Sequence, residues 1–224
     1  QSGSVSSGAS SSDSYVLPNV MVLSGPTGVG AAKLMADNEA VTPEAVANGE
    51  ASPVINTATV EADNQAVSSA LINGDVDIAA VATNVAASLS AKSEGAVQVL
   101  AVNTLGVLYI LEKGNSVQSM ADLEGRTVYA TGQGANPEFV LNYLLTENGV
   151  DPANVDIQWM TAQEVTAKMA SSEDGVCLLP VPAATALMLQ DAGVRQALSL
   201  TEEWSKVSSG QLAMGCIVAP HRLY

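Results

Sequence analysis

The sequence predicts an α/β fold with parallel sheets, and three observations carry that expectation. Apolar runs of strand length alternate with helical patterns along most of the chain, the order that parallel strands with crossover helices require. Three times an apolar strand runs into a small, polar, Gly/Thr/Asn-rich turn that opens a helix: Val20–Met35 (VMVLSGPTGVGAAKLM), Val76–Leu89 (VDIAAVATNVAASL) and Thr127–Leu145 (TVYATGQGANPEFVLNYLL). The run 76–82 is apolar apart from Asp77, as a strand buried on both faces must be.

The elements follow in order. Residues 1–14 (QSGSVSSGASSSDS) are almost all Ser, Gly and Ala, too little apolar surface to offset ordering entropy, so they are expected to form a disordered tether. The strand 20–23 leads through the turn 24–28 into a helix over 29–38, then a Pro/Gly-bearing connection over 41–53 and a strand near 54–60. Asp63 or Asn64 can cap the next helix, in which Val67, Ala70 and Leu71 recur at helical spacing before an Asn73–Gly74 stop. After the strand 76–82 and its helix come strands over 97–102 and 106–112, parted by the polar break Asn103–Thr104. An edge at 120–125, strand 126–130 and turn 131–136 precede a helix over 137–148, with Pro137 in the favoured first position. Strand 155–160, helix 163–171, strand 175–179, helix 183–192, strand 194–200, a short helix at 202–207 and a last strand 212–219 complete the chain.

Composition limits the function. The 224 residues are 47% hydrophobic and only 14% charged, with 23 acidic against 8 basic side chains and a formal charge of −15. So acidic a surface repels nucleic-acid phosphate and anionic lipid, and there is no Lys/Arg run to override that locally. No apolar stretch approaches the roughly 20 residues of a spanning helix and no leader pattern is present, so the chain is expected to be soluble. Cys177 and Cys216 both lie in apolar runs, compatible with buried inert thiols or with a mutual disulfide, and spacing does not choose between them. Metal binding finds no support, because the single histidine, His221, has no cysteine or carboxylate companions.

The three turns point to binding, since exposed N–H groups and a positive dipole end attract electron-rich groups without a catalytic side chain. GPTGVGAA at 25–32 has the glycine spacing of a nucleotide-hydrolase phosphate loop, but Ala31 and Ala32 replace the lysine and hydroxyl that would hold phosphate and magnesium. Lys33 and Pro137 stand where a dinucleotide fingerprint needs its third glycine. Thr83 and Asn84 are natural N-caps that can also face a cleft, and the Gln133 amide sits in a Gly-rich turn with little local structure to serve. For catalysis, Ser24 and Ser208–Ser209 lack a nucleophile setting and no carboxylate pair adjoins a turn. Asp75 and Asp77 read as a cap and a strand-edge charge, Trp159 and Trp204 as packing residues, and the few aromatics argue against a cage for a quaternary ammonium.

Together the blocks GPTGVGAAKLMADNE, NGDVDIAAVATNVAA, VNTLGVLYILE, SMADLEGRTVYATGQGANPEFVLNYLL through NGV, and QLAMGCIVA resemble the substrate-binding proteins of ABC importers, in the nitrate/sulfonate/thiamine-precursor (SsuA/THI5-like) group, over about residues 17–219. The resemblance implies a two-lobed periplasmic-binding-protein fold of type 2 with mixed, mostly parallel sheets, in which the chain crosses between lobes twice, near 103–106 and 211–215. Lobe one would comprise 15–102 plus 213–224 and lobe two 103–212, with lobe one lacking the C-terminal helices usual in the family. A ligand between the lobes would touch Ser24, Gly25, Pro26, Thr27, Gly28, Thr83, Asn84 and Thr104 on one side. On the other it would meet Thr131, Gln133, Gly134, Ala135, Asn136, Pro180 and Val181. Relatives often carry an acidic residue where Val181 stands, so its absence weakens the case for a cationic ligand group there. The helix N-termini favour an electron-rich group but no Arg or Lys lies in the turns, so a neutral or weakly anionic organic ligand is expected.

The implied role is an extracytoplasmic solute receptor without cofactor or metal, monomeric, working with ABC permease subunits and touching the membrane only through an N-terminal lipid anchor. Two other expectations stay open: a ligand-free structural or sensor module of the same fold, and an enzyme like the thiamine-pyrimidine synthases that the group includes.

Overall fold

In the computed structural model, which describes residues 16–221, the first apolar run forms β1 (Asn19–Leu23), whose burial alternates along the strand. The expected tether, residues 1–14, lies outside the described residues. The helix read over 29–38 is in two pieces, α1 (Pro26–Val29) and α2 (Ala32–Glu39), and the connection after it holds a further short helix, α3 (Pro43–Ala47), capped by the Thr42 hydroxyl. Then come β2 (Thr57–Glu61) and α4 (Asn64–Asn73). Asp63 caps α4 through the Gln65 N–H, and Gly74 ends it in the left-handed region at φ 81°, as the sequence signals require.

The strand β3 (Ile78–Ala82) feeds α5 (Thr83–Lys92), followed by β4 (Val97–Leu105) and β5 (Leu108–Lys113). β4 runs on through Asn103–Thr104, which the sequence reads as a break; the interruption falls at Gly106–Val107 instead. Residues 120–123 form a 3-10 turn rather than an edge strand. The second half contains β6 (Thr127–Ala130), α6 (Asn136–Glu147), β7 (Asp156–Trp159), α7 (Ala162–Ser171) and β8 (Val176–Pro180). It continues with α8 (Ala183–Gln190), β9 (Val194–Ser199), α9 (Leu200–Val207) and β10 (Ala213–Pro220).

Two five-stranded sheets result, in the orders β2-β1-β3-β10-β4 and β7-β6-β8-β5-β9. Both are mixed: β2, β1 and β3 are parallel, as are β7, β6 and β8, whereas β10 and β5 run antiparallel to both of their neighbours. Each sheet defines a lobe. The chain leaves the first from its edge strand β4 and returns to its interior as β10, so two crossings lie side by side. Gly106 sits beside them: a Cβ there would collide with the Thr201 hydroxyl and lie 3.2 Å from Leu212, so a side chain at this position would have to displace Thr201.

The second sheet is covered on both faces. Leu141, Leu144, Leu145 and Leu200 pack on one side and Val165, Met169, Ala184 and Leu187 on the other. The first sheet has α4 and α5 on one face, with Val67, Leu71, Ala86 and Leu89, and a smaller cluster of Val20, Val22, Ala31 and Ile55 on the other. Its edge strand β4 is less protected, leaving Val99, Leu100, Val102 and Leu105 exposed. Cys177 in β8 and Cys216 in β10 are buried, unpaired and in different sheets, so of the two open expectations the inert thiols hold and the disulfide does not.

Candidate ligand-binding cleft

The polar turns at the strand ends meet between the lobes on either side of β10. On one side, the turn after β1 folds over the end of β4, where Asn103 Nδ2 donates to Thr27 O at 3.0 Å and the Thr104 hydroxyl lies 3.5 Å from Pro26 O. The turn between β8 and α8 is drawn to the same place, because the Val181 N–H donates to Val107 O at 3.0 Å. These segments enclose a cavity of about 640 Å³ whose wall includes Gly25, Pro26, Thr104, Leu105, Val107, Val181 and Pro182. Both lobes contribute to it, and no lining residue is charged.

On the other side of β10 stand Thr83, Asn84 and Asn136. Thr83 Oγ1 donates to Ala213 O at 2.8 Å. Asn136, at the first position of α6 and 8% exposed, spans the lobes: its Nδ2 donates to Thr83 Oγ1 at 3.0 Å and to Met214 O at 2.7 Å, and its Oδ1 accepts the Asn84 N–H at 3.2 Å. These residues adjoin a second cavity of about 500 Å³, walled further by Phe139, Tyr143, Trp204 and Leu212. The Tyr143 and Trp204 rings are 4.9 Å apart and tilted by 45°.

The structure therefore divides the expected site. Gly25, Pro26, Thr104 and Val181 come together in the first cavity, and Thr83, Asn84 and Asn136 in the second. Ser24 and Gly28 line a shallower recess against Met35 and Glu39 in the first lobe, which Gly25 also borders. Thr27 is buried behind the first cavity. Thr131, Gln133, Gly134, Ala135 and Pro180 line neither cavity.

The picture of three free helix N-termini aimed at one ligand needs correction. The Asn84 N–H at the start of α5 is taken by Asn136, and the Gly134 N–H before α6 donates to Glu138 Oε2 at 2.6 Å. Protein oxygens occupy these donors, and α1 is a single turn of four residues. Sequence reasoning also missed Asn103, Val107 and the aromatic wall. Phe139 and Tyr143, four residues apart on the helix that follows a candidate turn, were the available signal.

The perturbed ionisable groups lie elsewhere. Burial pushes the Glu112 carboxyl up, but bonds from Ser116, Val117 and Arg195 outweigh it and hold the group below the usual glutamate range. Asp122 and Glu164 are lowered by backbone N–H groups in their own turns, and Asp191 by Lys113. Among the described residues there is no group of three or more His, Cys, Asp or Glu placed to hold a metal, and no helix long and apolar enough to cross a membrane.

Comparison with known proteins agrees with this architecture. The family model described as NMT1/THI5 like matches residues 59–207. Similar solved structures include an ABC transporter protein from Parabacteroides distasonis (19% identity, TM-score 0.69, 91% of this chain and 66% of that one). They also include the periplasmic aliphatic sulphonate binding protein SsuA from Escherichia coli (16%, 0.69, 93% and 66%). A third is a sulfonate-binding SsuA protein from Methylobacillus flagellatus (20%, 0.65, 92% and 62%). The chain thus spans just under two thirds of the length of each. No curated protein sequence matches it.

Proposed function

The chain belongs to the NMT1/THI5-like family, and on that premise we propose that it is the solute-binding receptor of an ABC importer, acting outside the cytoplasm with permease subunits. The observation that carries the reading is the first cavity. Segments of both lobes wall it, so a molecule held there contacts both and favours the closed arrangement over the open one; without such a difference in contact a ligand shifts nothing. Its walls are apolar, with the Asn103 and Thr104 side chains as polar groups. The ligand that fits is a small, neutral or weakly anionic organic molecule: no cation lines the cavity to hold a multiply charged anion, and no carboxylate to hold an ammonium. The lining contains no ionisable side chain to act as acid or base, which supports binding rather than turnover.

A thermal-shift screen of small neutral and monoanionic organic molecules tests this. A bound solute at 100 times its Kd adds about 2.7 kcal/mol, which for a chain of this size raises the Tm by roughly 5–10 °C. Val181→Trp, which narrows the cavity by placing a bulky ring at its wall, should reduce the shift. Absence of stabilisation by every compound, or a shift untouched by Val181→Trp, would overturn the reading. One observation favours a second reading, a ligand-free module of the same fold: Asn136 already joins the lobes without a ligand.

A further inference from the structure

We propose that the first cavity selects an uncharged, largely hydrocarbon molecule with a single hydroxyl group, such as a cycloaliphatic alcohol, and excludes the carboxylate or sulfonate of the same skeleton. This rests on the receptor reading and names the class of solute. The cavity, of about 640 Å³, lies in the range that holds a small organic molecule.

Most of the wall is hydrocarbon. Pro26, Val29, Leu105, Val107, Val181 and Pro182 supply it, three glycines complete it, and Asn103 and Thr104 are its polar side chains. Val29 and Leu105 remain 73% and 47% exposed, so apolar surface is left for an occupant to cover. An anion needs several donors converging on its oxygens, and the turns at this cavity have spent theirs. The Val29 N–H donates to Gly25 O at 3.0 Å, the Gly30 N–H to Pro26 O at 3.3 Å and the Val181 N–H to Val107 O at 3.0 Å, while Pro26 and Pro182 have no N–H to give. Asn103 has committed one amide hydrogen to Thr27 O, and its Oδ1 lies 3.3 Å from the Thr104 hydroxyl. Thr104, 9% exposed, has two acceptors, Asn103 Oδ1 and Pro26 O, for its one hydrogen. These side chains keep one Asn103 N–H and the Thr104 lone pairs, the complement of a single hydroxyl. A carboxylate or sulfonate would be stripped of water with no cation in the wall to compensate. The chain's charge of −15 repels it at longer range as well.

Isothermal titration calorimetry with three molecules of one skeleton tests this: cyclohexaneethanol, cyclohexaneacetate and cyclohexaneethylamine. The alcohol should bind with a Kd on the order of 1 mM for so small a ligand and with a negative heat-capacity change, the mark of apolar burial. The carboxylate and the amine should each bind about tenfold more weakly or worse, because each would bury an unpaired charge. Val181→Trp should weaken the alcohol. Val181→Lys keeps the backbone bond to Val107 and brings an ammonium to the wall, so it should reverse the order of alcohol and carboxylate. The proposal is overturned by the absence of saturable heat from the alcohol, by a charged analogue that binds the wild type as tightly, by alcohol binding that Val181→Trp leaves unchanged, or by an order that Val181→Lys does not reverse. A charged solute that stabilises the wild type more than Val181→Trp would overturn this selectivity and leave the receptor reading standing; stabilisation by no solute at all would overturn both.

Discussion

Replacing Asn136 by alanine should release the lobes from each other. The side chain is nine-tenths buried and makes three bonds across the lobe boundary, to Thr83 Oγ1, Met214 O and the Asn84 N–H. Each such bond contributes about 0.5–1.5 kcal/mol net, and the 3.2 Å contact to Asn84 belongs at the weak end. The three together come to roughly 2–4 kcal/mol, or about 30- to 700-fold in the equilibrium between joined and separated lobes. In the joined state of the variant, Met214 O and the Asn84 N–H would stay buried and lose a partner, so opening is the route by which they regain water. Labels at the exposed positions Gln65 and Glu147, one on each lobe, would report the interlobe distance, and amide exchange at Asn84 would report its bond. Asn136→Ala should broaden and lengthen the distance distribution and raise the Asn84 exchange rate. Asn136→Asp should do so further, since a carboxylate cannot donate to Thr83 and faces the Met214 carbonyl. An unchanged distance distribution with unchanged Asn84 protection would refute the reasoning, because it would mean the lobes are held by contacts other than these.

Three further outcomes are expected. Glu112→Gln should cost about 2–3 kcal/mol at neutral pH in denaturant titrations, less than the roughly 3–5 kcal/mol of a fully buried pair because Arg195 is 32% exposed. The folded-state pKa of Glu112 is depressed, so its contribution is fully present above the ordinary glutamate value and lost as pH falls through the depressed one; stability-versus-pH curves of wild type and variant should therefore converge in acid. Gly132→Ala should destabilise by about 2 kcal/mol or more, seen as a lower Tm, since Gly132 has φ 98° and a Cβ there would collide with the Pro137 ring. Burial pushes the Cys177 thiol up to about 12 and raises Cys216 as well, so a thiol reagent at pH 8 should react slowly with the folded protein and titrate two thiols after unfolding without reductant; none after unfolding would reveal a disulfide.

Much of the architecture was legible because its signals are local. Asp63 and Gly74 bracket α4, Pro137 stands at the start of α6, and the apolar run ending at Ala82 is a buried strand, each from backbone chemistry that a few neighbouring residues decide. The helix read as one piece over 29–38 breaks at Gly30–Ala31 because α1 is pulled onto the end of β4 by Asn103, 76 residues away. The candidate site was legible only as a set of turns. Their residues were named correctly as strand-end groups, yet their division into two cavities depends on β10 passing between Thr83 and Thr104, a pairing between distant segments of the chain.

By itself the sequence determined the alternation of elements, the acidic and weakly aromatic surface chemistry, and the absence of a phosphate-loop lysine at Ala31. Tertiary structure decided what those turns face. A turn N–H is a donor in any sequence, but whether it awaits a ligand or already bonds to Asn136 or Glu138 depends on which oxygen the fold brings within about 3 Å. In the same way the aromatic wall of Phe139, Tyr143 and Trp204 exists only because α6 and α9 pack side by side, although Tyr143 and Trp204 are 61 positions apart in sequence.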